Sequence, residues 1–377
     1  MAEQMKKIPD HLINCNPGPA RIPYEILRRA QDELIYYQDT GISVMEMSHR
    51  SPEFENIIRT AENLFREIMN IPDNYRVLFL HGGGTAQFAS IPLNLCPELK
   101  SCKVNYAVTG TWSEKAAKEA EKYCHVNRVT PKLDKFTTIP DVSTWKIDPD
   151  GKYLFYTDNE TIAGVEYQFK VQPFSDTMPV AIDMTSNFLS RPVDVSNYGV
   201  IIAGTQKNVG IAGLAIVIVR DDLIGKPMSI CPTVLDYTIL NKMKSLYNTP
   251  PCYPIYMTML YLQWIKDQGG LDVMGDRSDQ RAKLIYDVID QSNGFYFNGV
   301  DPNCRSRMNA VFRIGGNNGD EQLEKQFIQE CKERKIIGIK GHRLAGGIRI
   351  SMFNGMPVED AKFISELMIE FMERNRK

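Results

Sequence analysis

Residues 197–219 read NYGVIIAGTQKNVGIAGLAIVIV, and this stretch decides the fold. Val200 to Ala203 form a short apolar run, and Gly204-Thr205-Gln206 a small-residue turn. Lys207 follows, and a turn carrying Gly210 and Gly213 leads into a second apolar run, Leu214 to Val219. Both runs have strand length and β-branched enrichment without polar alternation, the pattern of strands buried on both faces of a sheet. An ammonium between two such strands is costly if it leaves water unpaired. Burial also depresses a lysine pKa, which makes the amine a nucleophile towards carbonyls. The sharp reading is a Schiff-base lysine and the plain one a solvated loop lysine; the rest of the chain decides between them.

The chain has 377 residues, room for one large domain and a smaller one. Its 43% hydrophobic and 24% charged residues are ordinary for a globular protein. With 44 basic and 46 acidic residues the net charge is −2, so no global field draws nucleic acid or an anionic membrane. Any anion binding must be local. The eight cysteines (Cys15, Cys96, Cys102, Cys124, Cys231, Cys252, Cys304, Cys331) form no CxxC and no Cys/His cluster. Reduced thiols, no zinc or other metal site and a cytoplasmic location are therefore expected. The first residues, MAEQMKKIPDHLINCN, lack the apolar core of a secretory signal, and no apolar run reaches the roughly 18 residues of a membrane span.

Working outward, helices and strands alternate. Helical spacing covers Tyr24 to Leu34 and a stretch from Glu53 to about Pro72. Apolar strands are predicted at Arg76–Leu80, Val104–Val108, Tyr153–Thr157, Val180–Ile182, Val200–Ala203 and Leu214–Val219. Helices are predicted from Thr85 to Leu95 and, capped by Thr111, to Tyr123. This alternation gives an α/β fold with a mainly parallel sheet. After about residue 250 the texture changes. Helices at Ile255–Asp267 and Leu271–Gln291 precede strands at Met308–Ile314 and Gly347–Met352, each followed by a helix (320–335 and 357–373), which reads as a smaller α+β domain.

Chemistry-bearing residues cluster at strand ends. Gly82-Gly83-Gly84-Thr85 joins a strand to a helix, where free amides and the helix N-terminus favour an anion. Asp183 ends Pro-Val-Ala-Ile-Asp; such a carboxylate commonly caps the next turn, and it can equally hold a proton on a pyridine nitrogen. Trp112 follows another strand as a core residue or as an aromatic cover for a flat ligand. Two His-Arg pairs, His49-Arg50 and His342-Arg343, can form an anion clamp, and Arg349 within a strand calls for a carboxylate partner.

Taken in order, SVMEMSHRSPEF, VLFLHGGGTAQF, DMTSNFLSRPVDVSNYGVIIAGTQKNVGIAGLAIVIV, LYNTPP and KGHRLAGGIRIS resemble the phosphoserine aminotransferases, class V enzymes of fold type I that use pyridoxal phosphate. The resemblance runs from Pro17-Gly18-Pro19 to Met352. With the boundary placed by the change of texture, within the helix at 255–270, this gives a large cofactor-binding domain over 17–262 and a small C-terminal domain over 263–377, with the arm 1–16 packed on the latter. The resemblance implies that Lys207 carries the cofactor and shuttles a proton, Asp183 pairs with the ring nitrogen, and Trp112 stacks on the ring. Gly84, Thr85 and Gln206 would hold the cofactor phosphate, Thr161 would bond the ring hydroxyl, and Asn248 and Thr249 would reach in from the second subunit of a homodimer. Arg349 would take the substrate α-carboxylate; His49, Arg50, His342 and Arg343 would hold the distal phosphate of 3-phosphohydroxypyruvate or the side-chain carboxylate of L-glutamate. Many members have an arginine directly after the triple glycine; Thr85 stands there in this chain, which removes one cation from the expected phosphate site. Another class V enzyme, such as a cysteine desulfurase, and a catalytically idle binding protein are the alternatives, but no cysteine sits in a Gly/Ser-rich loop near the small-domain strands and both Lys207 and Asp183 are present.

Overall fold

The computed structural model describes residues 12–171, 173–175 and 177–376; the first eleven residues of the arm expected at 1–16 lie outside them. The central sheet comprises β1 (Tyr75–His81), β2 (Lys103–Ala107), β3 (His125–Arg128), β4 (Leu154–Thr157), β5 (Val180–Asp183), β6 (Val200–Gly204) and β7 (Leu214–Arg220), in the order β1-β7-β6-β5-β4-β2-β3. Every pairing from β6 to β3 is parallel, and β7 runs antiparallel to both its neighbours. The mainly parallel sheet expected from the sequence is therefore present.

The missing polar alternation in β6 and β7 has a direct cause: both faces of the sheet are covered. On one face Val77, Phe79, Ile201, Ile216 and Ile218 pack with helices α1 (Tyr24–Asp32) and α2 (Pro52–Met69) and with the long helix Cys252–Asp267. On the other, Leu78, Leu80, Val104, Ile202, Val217 and Val219 pack with α3 (Gly83–Leu95) and α4 (Thr111–Ala120). Each such aliphatic side chain contributes about 1.5–3 kcal/mol by leaving water. α2 begins where Ser51 accepts from the Phe54 amide at 3.3 Å, with Pro52 in its first turn, and stops at Asn70 in the left-handed region. α4 differs from the sequence expectation. Thr111 is its first residue and not its cap; the cap position is Gly110, which has no side chain.

After the short helix α5 (Tyr237–Lys242), α6 (Cys252–Asp267) and α7 (Gly270–Gln291) lead to a second, antiparallel sheet. It consists of β8 (Tyr296–Phe297), β9 (Asn309–Ile314) and β10 (Ile348–Ser351), covered by α8 (Glu321–Glu333) and α9 (Val358–Asn375). Phe312, Ile314, Ile350, Phe327, Ile364 and Phe371 form its core, and Ile13 and Cys15 belong to that same core. Ile13–Asn14 pairs in parallel with Ile336–Ile337. Two-residue pairings of this kind fall below any apolar periodicity.

A polar seam holds the two sheets in register. The buried Glu166 carboxylate accepts from the Arg307 amide at 2.7 Å and from Arg307 Nη2 at 2.9 Å. Asp158 accepts from Asn187 Nδ2 at 2.7 Å and Arg191 Nη2 at 2.8 Å. Burial raises the Asp158 carboxyl to about 6 against the opposing pull of Arg191. Asn159 Nδ2 donates to Asn309 Oδ1 and to Ser186 Oγ, both at 2.9 Å, which places β9 beside the ends of β4 and β5. Removing one partner of a buried pair strands the other. Glu166→Ala should therefore lose about 3 kcal/mol or more in denaturant unfolding, whereas a change within about 0.5 kcal/mol would show that the seam adds nothing to stability.

Candidate active site

The strands from β1 to β6 that run parallel to one another direct their carboxyl ends to one edge, the place where open α/β sheets collect ligands. β6 ends at Gly204, and two residues of turn deliver Lys207 into the protein, only 7% exposed. Its Nζ donates to Thr161 Oγ1 at 2.7 Å. Burial lowers the Lys207 pKa to about 8; Asp183 opposes that shift and Arg349 adds to it. The solvated-loop reading of this lysine is excluded. The arm segment Pro17-Gly18 crosses against its stem, where a Cβ on Gly18 would sit 3.2 Å from Lys207 Cγ. Gly18 also has φ +129°, a conformation that favours glycine.

Asp183, at the end of β5, caps the next turn by accepting from the Thr185 amide at 2.9 Å and also lines the cavity beside Lys207. Burial raises its pKa, opposed by Thr185 and Lys207. Thr185 Oγ1 in turn accepts from the Gly204 amide at 3.1 Å. A Cβ on Gly84 would come within 2.8 Å of that same oxygen, so three strand ends meet without room for another carbon. Gly82, with φ +83°, opens α3 and has no side-chain cap. The Ala86 amide is the one that reaches back to the Gly82 carbonyl, at 3.4 Å, which leaves the amides of Gly83, Gly84 and Thr85 ahead of it for an anion.

The start of α4 is held by a residue that spacing did not reveal. The buried Glu160 carboxylate accepts from the Trp112 amide at 2.9 Å, the Ser113 amide at 2.8 Å and Ser113 Oγ at 2.6 Å. It supplies the cap that Gly110 lacks, and a Cβ on Gly110 would collide with it. Trp112 lines the cavity, and its Nε1 is buried without a partner among the described residues. Lys115 Nζ lies 4.3 Å from the centroid of the Trp112 ring.

On the opposite wall, β10 carries Arg349, paired in register with Val311 of β9. Arg349 is buried, makes no ion pair among the described residues, and its Nε has no partner there. His342 lines the same cavity, its pKa lowered by burial and by the charges of Arg349, Arg343 and Lys115. Gly84, Thr85, Trp112, Thr161, Asp183, Gln206, Lys207, His342 and Arg349 thus share one cavity of about 280 Å³. His49, Arg50, Asn248, Thr249 and Arg343 do not line it. Asn248 Nδ2 lies 3.1 Å from His81 Nε2, and Arg50 faces a separate groove bounded by α2, β1 and the turn after α5.

The donor set fits the pyridoxal phosphate expected from the sequence. Free amides at the start of α3 suit a phosphate, a buried carboxylate suits a ring nitrogen, a buried amine with lowered pKa suits an aldehyde, and an indole suits a flat ring. Glu160, Thr185 and Lys115 were not singled out from the sequence. Lys115 alone had a local signal there, standing three residues after Trp112 on one helix.

The family model described as aminotransferase class-V matches residues 13–364. A Drosophila melanogaster protein described as phosphoserine aminotransferase is 48% identical over 365 residues, 97% of this chain and 100% of the relative. The solved phosphoserine aminotransferase of Bacillus circulans subsp. alkalophilus superposes with a TM-score of 0.91 at 40% identity, covering 97% of this chain and 99% of that one. That of Trichomonas vaginalis, solved with PLP bound, gives 0.89 at 38% identity over 95% of this chain and 100% of its own.

The electrostatics of Lys207 give a signed expectation. In protein freed of carbonyl ligands, labelling of its amine should titrate with a midpoint near pH 8, against an ordinary value of 10.5. Below about 8 the amine is charged in both folded and unfolded states and the cost of burying it is fully present. Between 8 and 10.5 the unfolded chain binds more protons, so stability rises with pH, a rise that Lys207→Met should lack. Asp183→Asn should move the midpoint down and Arg349→Leu should move it up, read by mass spectrometry of the labelled peptide.

Proposed function

The chain belongs to the class V aminotransferases, and on that premise we propose that it moves the amino group of L-glutamate to 3-phosphohydroxypyruvate, giving O-phospho-L-serine and 2-oxoglutarate for serine biosynthesis. The observation that carries this is full-length similarity to phosphoserine aminotransferases together with a buried, pKa-lowered lysine facing an unpaired arginine across one cavity. The cofactor is pyridoxal phosphate. When bound it supplies an electron sink for the bond broken at the substrate's Cα.

The chain's own residues do the rest. Lys207, partly neutral near pH 8, would take the proton from the amino donor's Cα and deliver it to the cofactor's C4′, and would run the same transfer in reverse for the keto acid. Thr161 orients that amine and would hold the cofactor's ring hydroxyl. Asp183 would keep a proton on the ring nitrogen, and Trp112, fixed through its amide by Glu160, would cover the ring. Amides of Gly84 and Thr85 with the side chain of Gln206 would hold the cofactor phosphate. Arg349, held rigid in β10, receives the α-carboxylate bidentately.

His342 and Arg343 serve the distal anion from the loop before β10. His49, Arg50, Asn248 and Thr249 complete the site from the second subunit of a cytoplasmic homodimer; their position outside the cavity of their own chain supports that assignment. The core of the second sheet, separate from those on the two faces of the first, supports a division into a large and a small domain, 17–262 and 263–377 by the proposed bounds, with Ile265, Leu271 and Met274 still packed in the core of the first. Among the described residues no helix is long and apolar enough to cross a membrane. A thiol-based reaction has no support, since none of the eight cysteines lines the cavity.

Purified protein should bind pyridoxal phosphate with visible absorbance and turn over glutamate with 3-phosphohydroxypyruvate. Lys207→Ala should lose at least about a thousandfold in rate. Arg349→Leu should lose about 10–100-fold in kcat/KM for both acids, the worth of one charge-assisted pair. Equal kcat/KM for 3-phosphohydroxypyruvate and unphosphorylated hydroxypyruvate would remove the phosphate from the substrate.

A further inference from the structure

Resting on the reading above, in which the substrate has an anion at its far end, we propose that Lys115 contacts that anion directly and sets the preference for a phosphorylated acid. Thr85 leaves the wall of the cavity uncharged at the start of α3. Lys115 lines the same cavity from α4, one turn beyond Trp112, with its ammonium poised over the indole face. Its amine makes neither an ion pair nor a hydrogen bond among the described residues. The adjacent acid, Glu114, is committed elsewhere: its carboxylate meets Lys118 at 3.4 Å and Arg128 at 3.2 Å. Lys115 therefore stands with Arg349 and His342 at one opening, none of them in an ion pair among the described residues, and Asp183 is the one acidic residue that lines the cavity with them.

That imbalance is felt within the group, since the charge of Lys115 adds to burial and to Arg349 and Arg343 in holding His342 below its ordinary pKa. An incoming dianion relieves it. An ammonium on a four-carbon stem offers three donors without a fixed fork, so it can serve the tetrahedral phosphate of one substrate and the planar carboxylate of the other. The place of the ammonium over Trp112 holds the side chain at the cavity, and its exposure leaves the head open to water until an anion arrives.

The test uses the holoenzyme and the variants Lys115→Met, which keeps the length and the apolar stem against Trp112, and Lys115→Arg. The ratio of kcat/KM for 3-phosphohydroxypyruvate over hydroxypyruvate should fall about tenfold or more in Lys115→Met and stay within about threefold of wild type in Lys115→Arg. Inorganic phosphate, used as a competitive inhibitor, should weaken by about tenfold in Lys115→Met. An equal fall on both keto acids with unchanged phosphate inhibition would overturn the proposal, because Lys115 would then only support Trp112. A wild type without preference for the phosphorylated acid would instead overturn the substrate assignment, and the phosphate inhibition constants would still decide the role of Lys115.

Discussion

The site depends on a seam of buried polar pairs between two sheets that have little else in common. Lys207 belongs to the parallel sheet and Arg349 to the antiparallel one, and their charges act on each other only because the seam fixes the second sheet against the first. Glu166 and Asn159 lie just beyond the parallel sheet; Arg307 bonds the first and Asn309 the second as β9 begins, while Asp158 ties Asn187 and Arg191 behind them. β10 is then placed by its register with β9, Ala310 opposite Ile350 and Val311 opposite Arg349. A hydrophobic seam of equal area would be as strong, but it would specify the relative position less sharply. Directional, charge-assisted bonds admit one register, and unpaired alternatives are penalised.

Inside that frame the Lys207 pKa is a balance of opposed effects. Burial alone favours the neutral amine, Arg349 reinforces it, and Asp183 and Glu160 hold the proton on. A lysine at about 8 is near the compromise for general base work at neutral pH, partly free yet still basic. Glu160 contributes twice, by its charge and by capping α4 so that Trp112 starts the helix at the cavity wall. Its own pKa is raised by burial and lowered by the Ser113 and Trp112 bonds, the expected condition of a carboxylate whose ligands are donors rather than a cation.

The large sheet was legible because its strands are long, apolar on both faces and separated by helices, so periodicity and length agree. Predicted and observed ends differ by about a residue: Val200–Ala203 became Val200–Gly204, and Leu214–Val219 became Leu214–Arg220. What the sequence hid was short or non-local. The pairing of Ile13–Asn14 with Ile336–Ile337 has no period, and the edge strand His125–Arg128 is polar and half exposed. The cap of α4 comes from 48 residues away, so inspection of Thr111 could not find it. For the site, strand ends pointed to Lys207, Asp183, Trp112 and the triple glycine, because the end of a parallel strand is a place a sequence can mark. The resemblance, not the pattern, supplied Thr161, Gln206 and Asn248. Thr185 needed coordinates, since its importance lies in what it touches, and Lys115 was marked only by its spacing from Trp112.

Substrate choice follows from how differently the two ends of the ligand are held. An α-carboxylate is the same planar group in every amino acid, and a rigid, buried guanidinium in mid-strand matches it. The distal group alternates between a phosphate and a carboxylate in one catalytic cycle. A rigid fork tuned to one of these would penalise the other, because buried donors left unpaired cost free energy. Donors on loops and flexible stems at the rim avoid that penalty: His342 lies in the loop before β10, and Lys115 extends from the surface of α4. On the proposed assignment, Thr85 in place of an arginine does not cost the site its phosphate recognition. It moves recognition from a wall that cannot adapt to a rim that can, at the expense of some affinity to screening by salt.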